Sequence, residues 1–290
     1  MFNEKIIARN REVGNHLCVG IDPSGHDLSP FFEAELKKMG AEEFLLKISR
    51  TIFSAAKGAS ALKFQSAFYE AYGAMGVRAL ELLTREAKQS GFITILDAKR
   101  GDISSTMKAY GVAAFDRIGA DALTVTAYMG TDVLDPLKEW GAIGFGVYVV
   151  WISSNPSGRQ LQDTECVDGS GTVAEKMQRD IDAWEIESKL NGMTGYVLGA
   201  TKLQSSLVEK VNKKERFFLM PGVGAQGGKI DYSLKSILKK HPGTLVAMSR
   251  SLTGLGAGKS LEWVGIDSWN LYESAVAKAC QTAISQLLIE

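Results

Sequence analysis

The feature that most constrains the fold is a regular alternation of short apolar segments with amphipathic segments along the whole chain. Eight apolar segments have the length and the β-branched or aromatic content of buried strands, namely 17–21, 61–64, 92–97, 122–125, 145–151, 196–198, 217–220 and 244–248. The stretches between them carry apolar residues at helical spacing, as in 42–57. This alternation, without a break in composition, predicts an α/β fold, one (β/α)8 TIM barrel over residues 1–290. An open doubly wound sheet is the alternative, but its G-x-G-x-x-G motif after the first strand is absent.

The third predicted strand ends in a cluster of charges. The apolar run 92–96 leads directly into Asp97-Ala98-Lys99-Arg100-Gly101-Asp102. Because alternate side chains of a strand point to the same face, we expect Asp97 and Lys99 to lie side by side. A turn at Gly101 would bring Asp102 to them. Such a cluster at the end of a buried strand is typical of a catalytic site, although short charged motifs also occur in solvated turns.

The C-terminal ends of other predicted strands carry polar groups as well. Catalytic and binding residues of such barrels lie at these ends. Asp22 follows the first strand and Lys63 lies in the second, where both could bind sugar hydroxyls. Taken alone, Asp22-Pro23 is equally typical of a turn before a helix, and Lys63 of a lysine that extends into solvent.

The last two strands predict a phosphate site. Strand seven leads into 221–228, Pro-Gly-Val-Gly-Ala-Gln-Gly-Gly, whose backbone N–H groups can surround an anion. Strand eight leads into Arg250, a forked donor suited to phosphate oxygens. Because phosphate sites of such barrels lie after strands seven and eight, the pair favours phosphate over a glycine-rich turn with a surface ion pair.

Charge and cysteine usage narrow the class of partner. The 33 lysines and arginines balance 33 aspartates and glutamates, so no nucleic acid and no membrane surface is expected as the main partner. No apolar run is long enough to span a bilayer, and the polar N-terminus lacks the apolar core of a signal peptide. The 3 cysteines and 3 histidines have no metal or redox spacing. We therefore expect reduced thiols, a cytoplasmic protein and no metal site.

The longest irregular stretch, 153–171, follows strand five and is polar with several glycines. It is either an insertion without function or a flexible lid over the barrel mouth. The sequence Thr172-Val173-Ala174-Glu175 after it has the pattern of a capping box and predicts the start of a long helix.

Taken together, these motifs resemble the orotidine 5′-phosphate decarboxylases, the enzymes that make UMP. Asp97 to Ile103 is similar to the family signature D-x-K-x-x-D-I, and Thr106 falls where the family has a threonine. Further matching pieces follow in the family's order over nearly the whole chain: Gly20-Ile21-Asp22-Pro23, Lys63-Phe64, Ser154-Asn155-Pro156, Pro221-Gly222-Val223-Gly224-Ala225-Gln226 and Ser249-Arg250-Ser251. The length and Asn155-Pro156-Ser157-Gly158 look like the longer bacterial branch. Ser249 is a departure, because many relatives have glycine there.

The resemblance implies a role for each matching residue. Asp22 and Lys63 would bind the ribose hydroxyls, and Ser154 would contact the pyrimidine. Gln226 and Arg250, with Pro221 beside them, would hold the phosphate.

The resemblance also implies how the chemistry is divided. Asp97 and Lys99 would face the carboxylate-bearing ring carbon. Asp102, Ile103 and Thr106 would reach the site of the neighbouring subunit, which makes the enzyme a homodimer.

Under this resemblance no metal, imine or other cofactor assists the loss of CO2, so the ring carbanion must be stabilised electrostatically. Lys99 would provide a fixed ammonium group and then the proton, while Asp97 would disfavour the substrate carboxylate.

Three other functions stay open from the residues. A metal-dependent decarboxylase of a keto-sugar phosphate has the same barrel and the same D-x-K-x-x-D motif but uses Mg²⁺. A Schiff-base aldolase would use Lys63 or Lys99 as its nucleophile. A non-catalytic nucleotide-binding barrel would hold the same ligand without turnover.

Overall fold

The eight predicted strands close into a parallel barrel. A computed structural model describes residues 1–24, 28–213, 215–224, 226–255, 263 and 265–289. Each strand pairs in parallel with the next, and the eighth returns to the first. The strands are β1 Leu17–Ile21, β2 Ala61–Gln65, β3 Ile93–Arg100, β4 Ala122–Val125, β5 Gly146–Ile152, β6 Thr194–Leu198, β7 Phe218–Pro221 and β8 Leu245–Met248. The predicted (β/α)8 barrel is confirmed, and the open sheet is wrong because no edge strand is left.

Helices surround the barrel. They are α1 Phe2–Val13, α2 Pro30–Met39, α3 Ala41–Ala55, α4 Ser66–Glu70, α5 Gly73–Gln89, α6 Ser104–Gly111, α7 Lys138–Ala142, α8 Arg159–Gln162, α9 Val173–Glu187, α10 Ser205–Val211, α11 Tyr232–Lys240, α12 Arg250–Thr253 and α13 Trp269–Gln286. A π-helical segment, Val112–Ile118, extends α6, and 3-10 turns occupy Thr131–Leu137, Pro156–Gly158 and Ala200–Lys202. The predicted capping box of α9 is confirmed at Thr172 and Glu175. Within the described part of the chain, no helix combines the length and the apolar character needed to cross a membrane.

The apolar core has two layers. One fills the inside of the barrel and includes Ile95, Tyr148, Phe217 and Leu219. The other lies between the outer face of the strands and the helices. This arrangement follows from the period of two in each strand, which sends alternate side chains to the two layers.

Helix α1 closes the N-terminal end of the barrel, and the strand and helix patterns did not predict it. Phe2 lies among the interior side chains, with ring centroids 5.9 Å from those of Tyr148 and Phe217. Gly146 leaves room for it, because a Cβ there would lie 2.0 Å from Cδ1 of Phe2. The opposite, C-terminal end of the barrel is left open for a ligand.

Candidate active site

A cavity of about 430 Å³ occupies the C-terminal end of the barrel. Eleven residues were predicted for the site, and eight of them line this cavity. These eight are Asp22, Lys63, Asp97, Lys99, Ser154, Pro221, Gln226 and Arg250. The residues come from strands one, two, three, five, seven and eight, so the closed barrel is what brings them together.

Four charges meet on one side of the cavity. Nζ of Lys99 lies 2.6 Å from Oδ1 of Asp97, and Nζ of Lys63 lies 3.1 Å from Oδ2 of the same carboxylate. Lys63 also lies 3.6 Å from Oδ1 of Asp22. The two carboxylates and two ammonium groups have a net formal charge of zero. Because each charge has an opposite partner, the cluster can lie next to the apolar core.

Burial and pairing act against each other on the pKa values of this cluster. Burial would raise the pKa of Asp97, but Lys63, Lys99 and the hydrogen bonds from Lys99 and Thr124 outweigh it and hold the pKa well below its usual range. Burial would lower the pKa of Lys63, but Asp22 and Asp97 raise it above its usual range. A Schiff base needs a neutral amine, so the environment of Lys63 disfavours the aldolase chemistry.

Two further residues hold Asp97 in place. Oγ1 of Thr124 donates to Oδ1 of Asp97 at 2.9 Å and accepts the backbone N–H groups of residues 98 and 99, each at 2.9 Å. The side-chain amide of Gln65 donates to Oδ2 of Asp97 at 3.2 Å. The sequence patterns did not identify Thr124 as a site residue. The feature that could have identified it is a polar side chain at an inward-facing position of the otherwise apolar strand β4.

The opposite side of the cavity is apolar. Val150, Val197, Leu219 and Ala247 line it, from β5 to β8. A flat ring that lies on these side chains would have one edge directed at the charged cluster. The cavity therefore suits a ligand with an apolar ring and anionic groups.

The rim between β7 and β8 contains the predicted phosphate site. Gln226 and Arg250 both line the cavity, and Arg250 has no carboxylate within ion-pair distance among the described residues. The glycine-rich loop contributes less than expected, because its N–H groups at Gly224 and Gly228 bond to carbonyls inside the loop, at 3.0 Å and 2.9 Å. Ala225 lies outside the described residues. The side chains of Gln226 and Arg250 line this end of the cavity and can donate to an anion.

Ser249, the departure from the family pattern, is accommodated by Gly20. A Cβ at Gly20 would lie 1.9 Å from Oγ of Ser249, so the serine side chain occupies the space that this glycine leaves. Arg250 keeps its place on the cavity wall beside it.

Three predicted residues lie outside the cavity of their own chain. Oδ1 of Asp102 accepts the backbone N–H of Ile103 at 2.8 Å, and the side chains of Ile103 and Thr106 are exposed. No ion pair joins Asp102 to Lys99 within the described residues, so the expectation that they meet inside one chain is wrong. The φ of Lys99, 48°, interrupts the regular alternation of side chains along β3 before the chain reaches Asp102.

The stretch 153–171 is partly helical rather than irregular. It contains the 3-10 turn Pro156–Gly158 and α8. Oε1 of Gln162 in α8 accepts the backbone N–H of Ser153 at 3.2 Å, and Nε2 of Gln162 donates to the hydroxyl of Ser153 at 2.9 Å. Ser153 lines the cavity, so this segment borders the site. Cys166 in the same segment is partly exposed, whereas burial raises the pKa of Cys18 and of Cys280 to about 12.

No group of three or more histidine, cysteine, aspartate or glutamate side chains is arranged to hold a metal ion in the part of the chain that is described. The charged side chains that line the cavity offer electrostatic chemistry. A fixed ammonium group on Lys99 can stabilise negative charge and deliver a proton.

Comparison with known proteins gives a consistent result. The family model described as "Orotidine 5'-phosphate decarboxylase / HUMPS family" matches residues 15–258. The orotidine 5′-phosphate decarboxylase of Roseiflexus sp. (strain RS-1) is 33% identical over 252 residues, which are 87% of this chain and 88% of that protein. The enzyme of the same name from Nocardioides sp. is 36% identical over 223 residues, 74% of this chain and 78% of that protein. The solved structure of Leishmania donovani OMP decarboxylase is 26% identical with a TM-score of 0.70, covering 99% of this chain and 97% of that one.

Proposed function

Because the chain belongs to the orotidine 5′-phosphate decarboxylase / HUMPS family, we propose that it removes CO2 from orotidine 5′-phosphate and forms UMP. This reaction is a step of pyrimidine nucleotide synthesis. The observation that carries the proposal is the Lys99–Asp97 pair, 2.6 Å apart, facing an apolar cavity wall across the barrel mouth. Arg250 stands at the rim of the same cavity as a cation for the phosphate.

The lining of the cavity fits each part of this substrate. The phosphate would bind Arg250 and Gln226 beside Pro221, where cationic and amide donors converge. The ribose hydroxyls would bind Asp22 and Lys63, and the pyrimidine would lie on the apolar wall with Ser154 at its edge. The carboxylate-bearing carbon would then face Asp97 and Lys99.

Lys99 is the proposed stabiliser and proton donor. When the bond to the carboxylate breaks, its electron pair stays on the ring carbon and CO2 leaves as a neutral molecule. The ammonium group of Lys99 stabilises that carbon, which then takes a proton from Nζ and leaves a neutral amine that solvent reprotonates. The step needs no cofactor, because the positive charge is already fixed in the site.

Asp97 is proposed mainly to hold Lys63 and Lys99 in place. Both ammonium groups bind its carboxylate, so much of the negative charge that would repel the substrate is compensated. We therefore assign the larger part of its effect to positioning and the smaller part to ground-state repulsion.

The proposed enzyme acts as a homodimer. Asp102, Ile103 and Thr106 do not line the cavity of their own chain, which suits residues that serve a neighbouring subunit. Large apolar side chains are exposed at Ile103 and, after β4, at Tyr128 and Met129, which are 49%, 76% and 54% exposed. A partner copy would cover them and bring its own Asp102 towards Lys99.

We also propose that the enzyme works in the cytoplasm. Its three cysteines are free and none is paired with another. Free thiols are typical of reducing compartments.

Phosphate binding is proposed to close the segment 153–171 over the substrate. The variant Arg250→Ala tests this coupling. It should weaken binding of UMP, leave the segment open to proteolysis when UMP is saturating, and lower turnover at saturating substrate. Weaker binding with unchanged turnover and unchanged protection of the segment would contradict the coupling.

The decisive experiment follows the orotate absorbance when purified protein meets orotidine 5′-phosphate in the presence of a metal chelator. Rapid loss with the wild type, and none with Lys99→Ala, is the expected result. The same assay at saturating UMP should be inhibited.

Other outcomes point to the other functions. Activity on a keto-sugar phosphate that disappears with the chelator and returns with Mg²⁺ would indicate the metal-dependent sugar-phosphate decarboxylase. Covalent trapping of substrate by borohydride would indicate the aldolase. UMP binding without any loss of absorbance would indicate a nucleotide-binding barrel.

A further inference from the structure

We propose that Arg100 is a positioning residue that keeps Lys99 against Asp97, through an ion pair with Glu70 and a contact with Tyr110. The inference rests on the proposed function, because it concerns the group that would donate the proton. Arg100 does not line the cavity, so any effect on the reaction would act through its neighbour Lys99.

The backbone at Lys99 needs support. Lys99 has a φ of 48°, in the left-handed region that a lysine seldom adopts. The pairing of β3 with β4 is also interrupted here, since Leu96 pairs with Leu123 and the next paired residue, Arg100, pairs with Val125. This bulge directs Lys99 back towards Asp97. A conformation of this kind persists only when the surrounding structure holds it.

Arg100 is the first residue after the bulge, and three elements hold it. Its carbonyl accepts the N–H of Thr126, just beyond β4, at 2.8 Å. Its guanidinium pairs with Glu70, the last residue of α4. The same guanidinium lies over the ring of Tyr110 in α6, with 5.0 Å from Cζ to the ring centroid.

Glu70 is itself held in place. The hydroxyl of Ser66 donates to the same Oε1 that Arg100 contacts. These bonds, with that of Ser66 the larger influence, lower the pKa of Glu70 and keep it charged. Ser66 directly follows Gln65, whose amide donates to Asp97. The clamp formed by Arg100, Glu70 and Ser66 therefore joins the two strand ends that carry Lys63 and Lys99.

The simpler explanation is a surface ion pair without effect on the reaction, and the chain contains a matched control for it. Arg50 of α3 binds Glu86 of α5 through Nε and Nη2, at 2.9 Å and 2.6 Å, far from the barrel mouth. Its side chain is 51% exposed, and that of Arg100 is 31% exposed. Replacing each arginine by methionine removes the charge and keeps most of the apolar stem.

The experiment measures kcat, KM for orotidine 5′-phosphate and the melting temperature of the full chain carrying Arg100→Met or Arg50→Met. A catalytic group displaced by about 1 Å loses up to about a hundredfold in rate. We expect Arg100→Met to lower kcat by about tenfold or more. KM should change by less than about threefold, because the substrate-binding residues are untouched. Arg50→Met should leave both constants unchanged.

Two additional variants separate positioning from general loss of structure. Arg100→Lys keeps the charge without the planar fork and should restore part of kcat. Combining Arg100→Met with Glu70→Gln should lower kcat no further than the stronger single change, because both break the same clamp. If Arg100→Met does not fold, Glu70→Gln and Arg100→Lys carry the same comparison.

A folded Arg100→Met enzyme with the kcat of the wild type would overturn the inference and leave the proposed function standing. Loss of kcat in Arg50→Met to the same extent would also overturn it. A wild-type protein without decarboxylase activity would instead remove the proposed function, and this inference with it.

Discussion

The substitution Asp97→Asn is expected to destabilise the barrel although it barely changes the shape of the side chain. It removes the charge that Lys63 faces at 3.1 Å and Lys99 at 2.6 Å. Lys63 is only 5% exposed and would keep a single carboxylate partner, Asp22, at 3.6 Å. Breaking a buried ion pair costs about 3 to 5 kcal/mol, and the retained Asp22 puts the expected loss near 3 kcal/mol.

This loss converts into a measurable change in melting temperature. Unfolding entropy is about 2.1 cal/mol/K per residue, roughly 600 cal/mol/K for 290 residues. The melting temperature of Asp97→Asn should therefore fall by about 5 °C at pH 7. Differential scanning calorimetry measures the shift, and Lys63→Met with the double variant completes the cycle. The double variant should lose less unfolding free energy than the two single variants lose together, by about 1 kcal/mol or more.

The effect should also depend on pH in a defined direction. The pKa of Asp97 is lowered in the folded protein, so its stabilisation is present above the unfolded pKa of about 4 and is lost as the pH falls further. The difference in melting temperature between wild type and Asp97→Asn should hold from pH 7 to about pH 4 and shrink below it. A variant as stable as the wild type at pH 7, or an additive double variant, would refute the electrostatic explanation.

Three further predictions follow from local geometry. In the folded protein Cys166 should react first with an alkylating reagent and the two buried cysteines only on unfolding, as peptide mass mapping would reveal; early labelling of a buried cysteine would contradict this. Gly146→Ala should lower the stability by about 1 to 3 kcal/mol, because its Cβ would lie 2.0 Å from Phe2. Gly265→Ala should melt like the wild type, because among the described residues, its chain neighbours aside, no atom lies within 4 Å of the added Cβ. Thr124→Val should cost about 1 kcal/mol and lower kcat, since it leaves two partly buried N–H groups without their acceptor; an unchanged melting temperature and kcat would argue against that role.

Much of the fold and the place of the site could be predicted because they depend on local patterns. The apolar runs fix the strands, and a closed parallel barrel brings every strand's C-terminal end to one rim. Asp22, Lys63 and Asp97 are far apart in sequence, yet their positions at strand ends were enough to predict that they meet. The position of Arg250 on the cavity wall could be predicted in the same way, because Arg250 follows the C-terminal end of β8.

Other features depend on tertiary contacts that no local pattern encodes. The left-handed backbone of Lys99 goes together with bonds to Thr124 and Asp97, which lie on β4 and β3. At the start of α6, Ile103 holds the N-cap position and Ser104 has a φ of 45°. The sequence patterns did not predict that Phe2 closes the N-terminal end of the barrel, because α1 comes before the first strand and does not belong to the alternation of strands and helices.

The separation of charged and apolar walls suggests how this barrel can change in evolution or by design. Strands β1 to β3 and their C-terminal ends hold the two carboxylates and two ammonium groups, while β5 to β8 provide the apolar wall on which a ring would lie and lead to the residues proposed for the phosphate. Ligand preference can therefore be altered in the second half of the chain while the reactive half keeps its sequence. A library restricted to the cavity-facing positions of β5 to β8 would sample new ring shapes while the proposed proton donor, Lys99, stays unchanged.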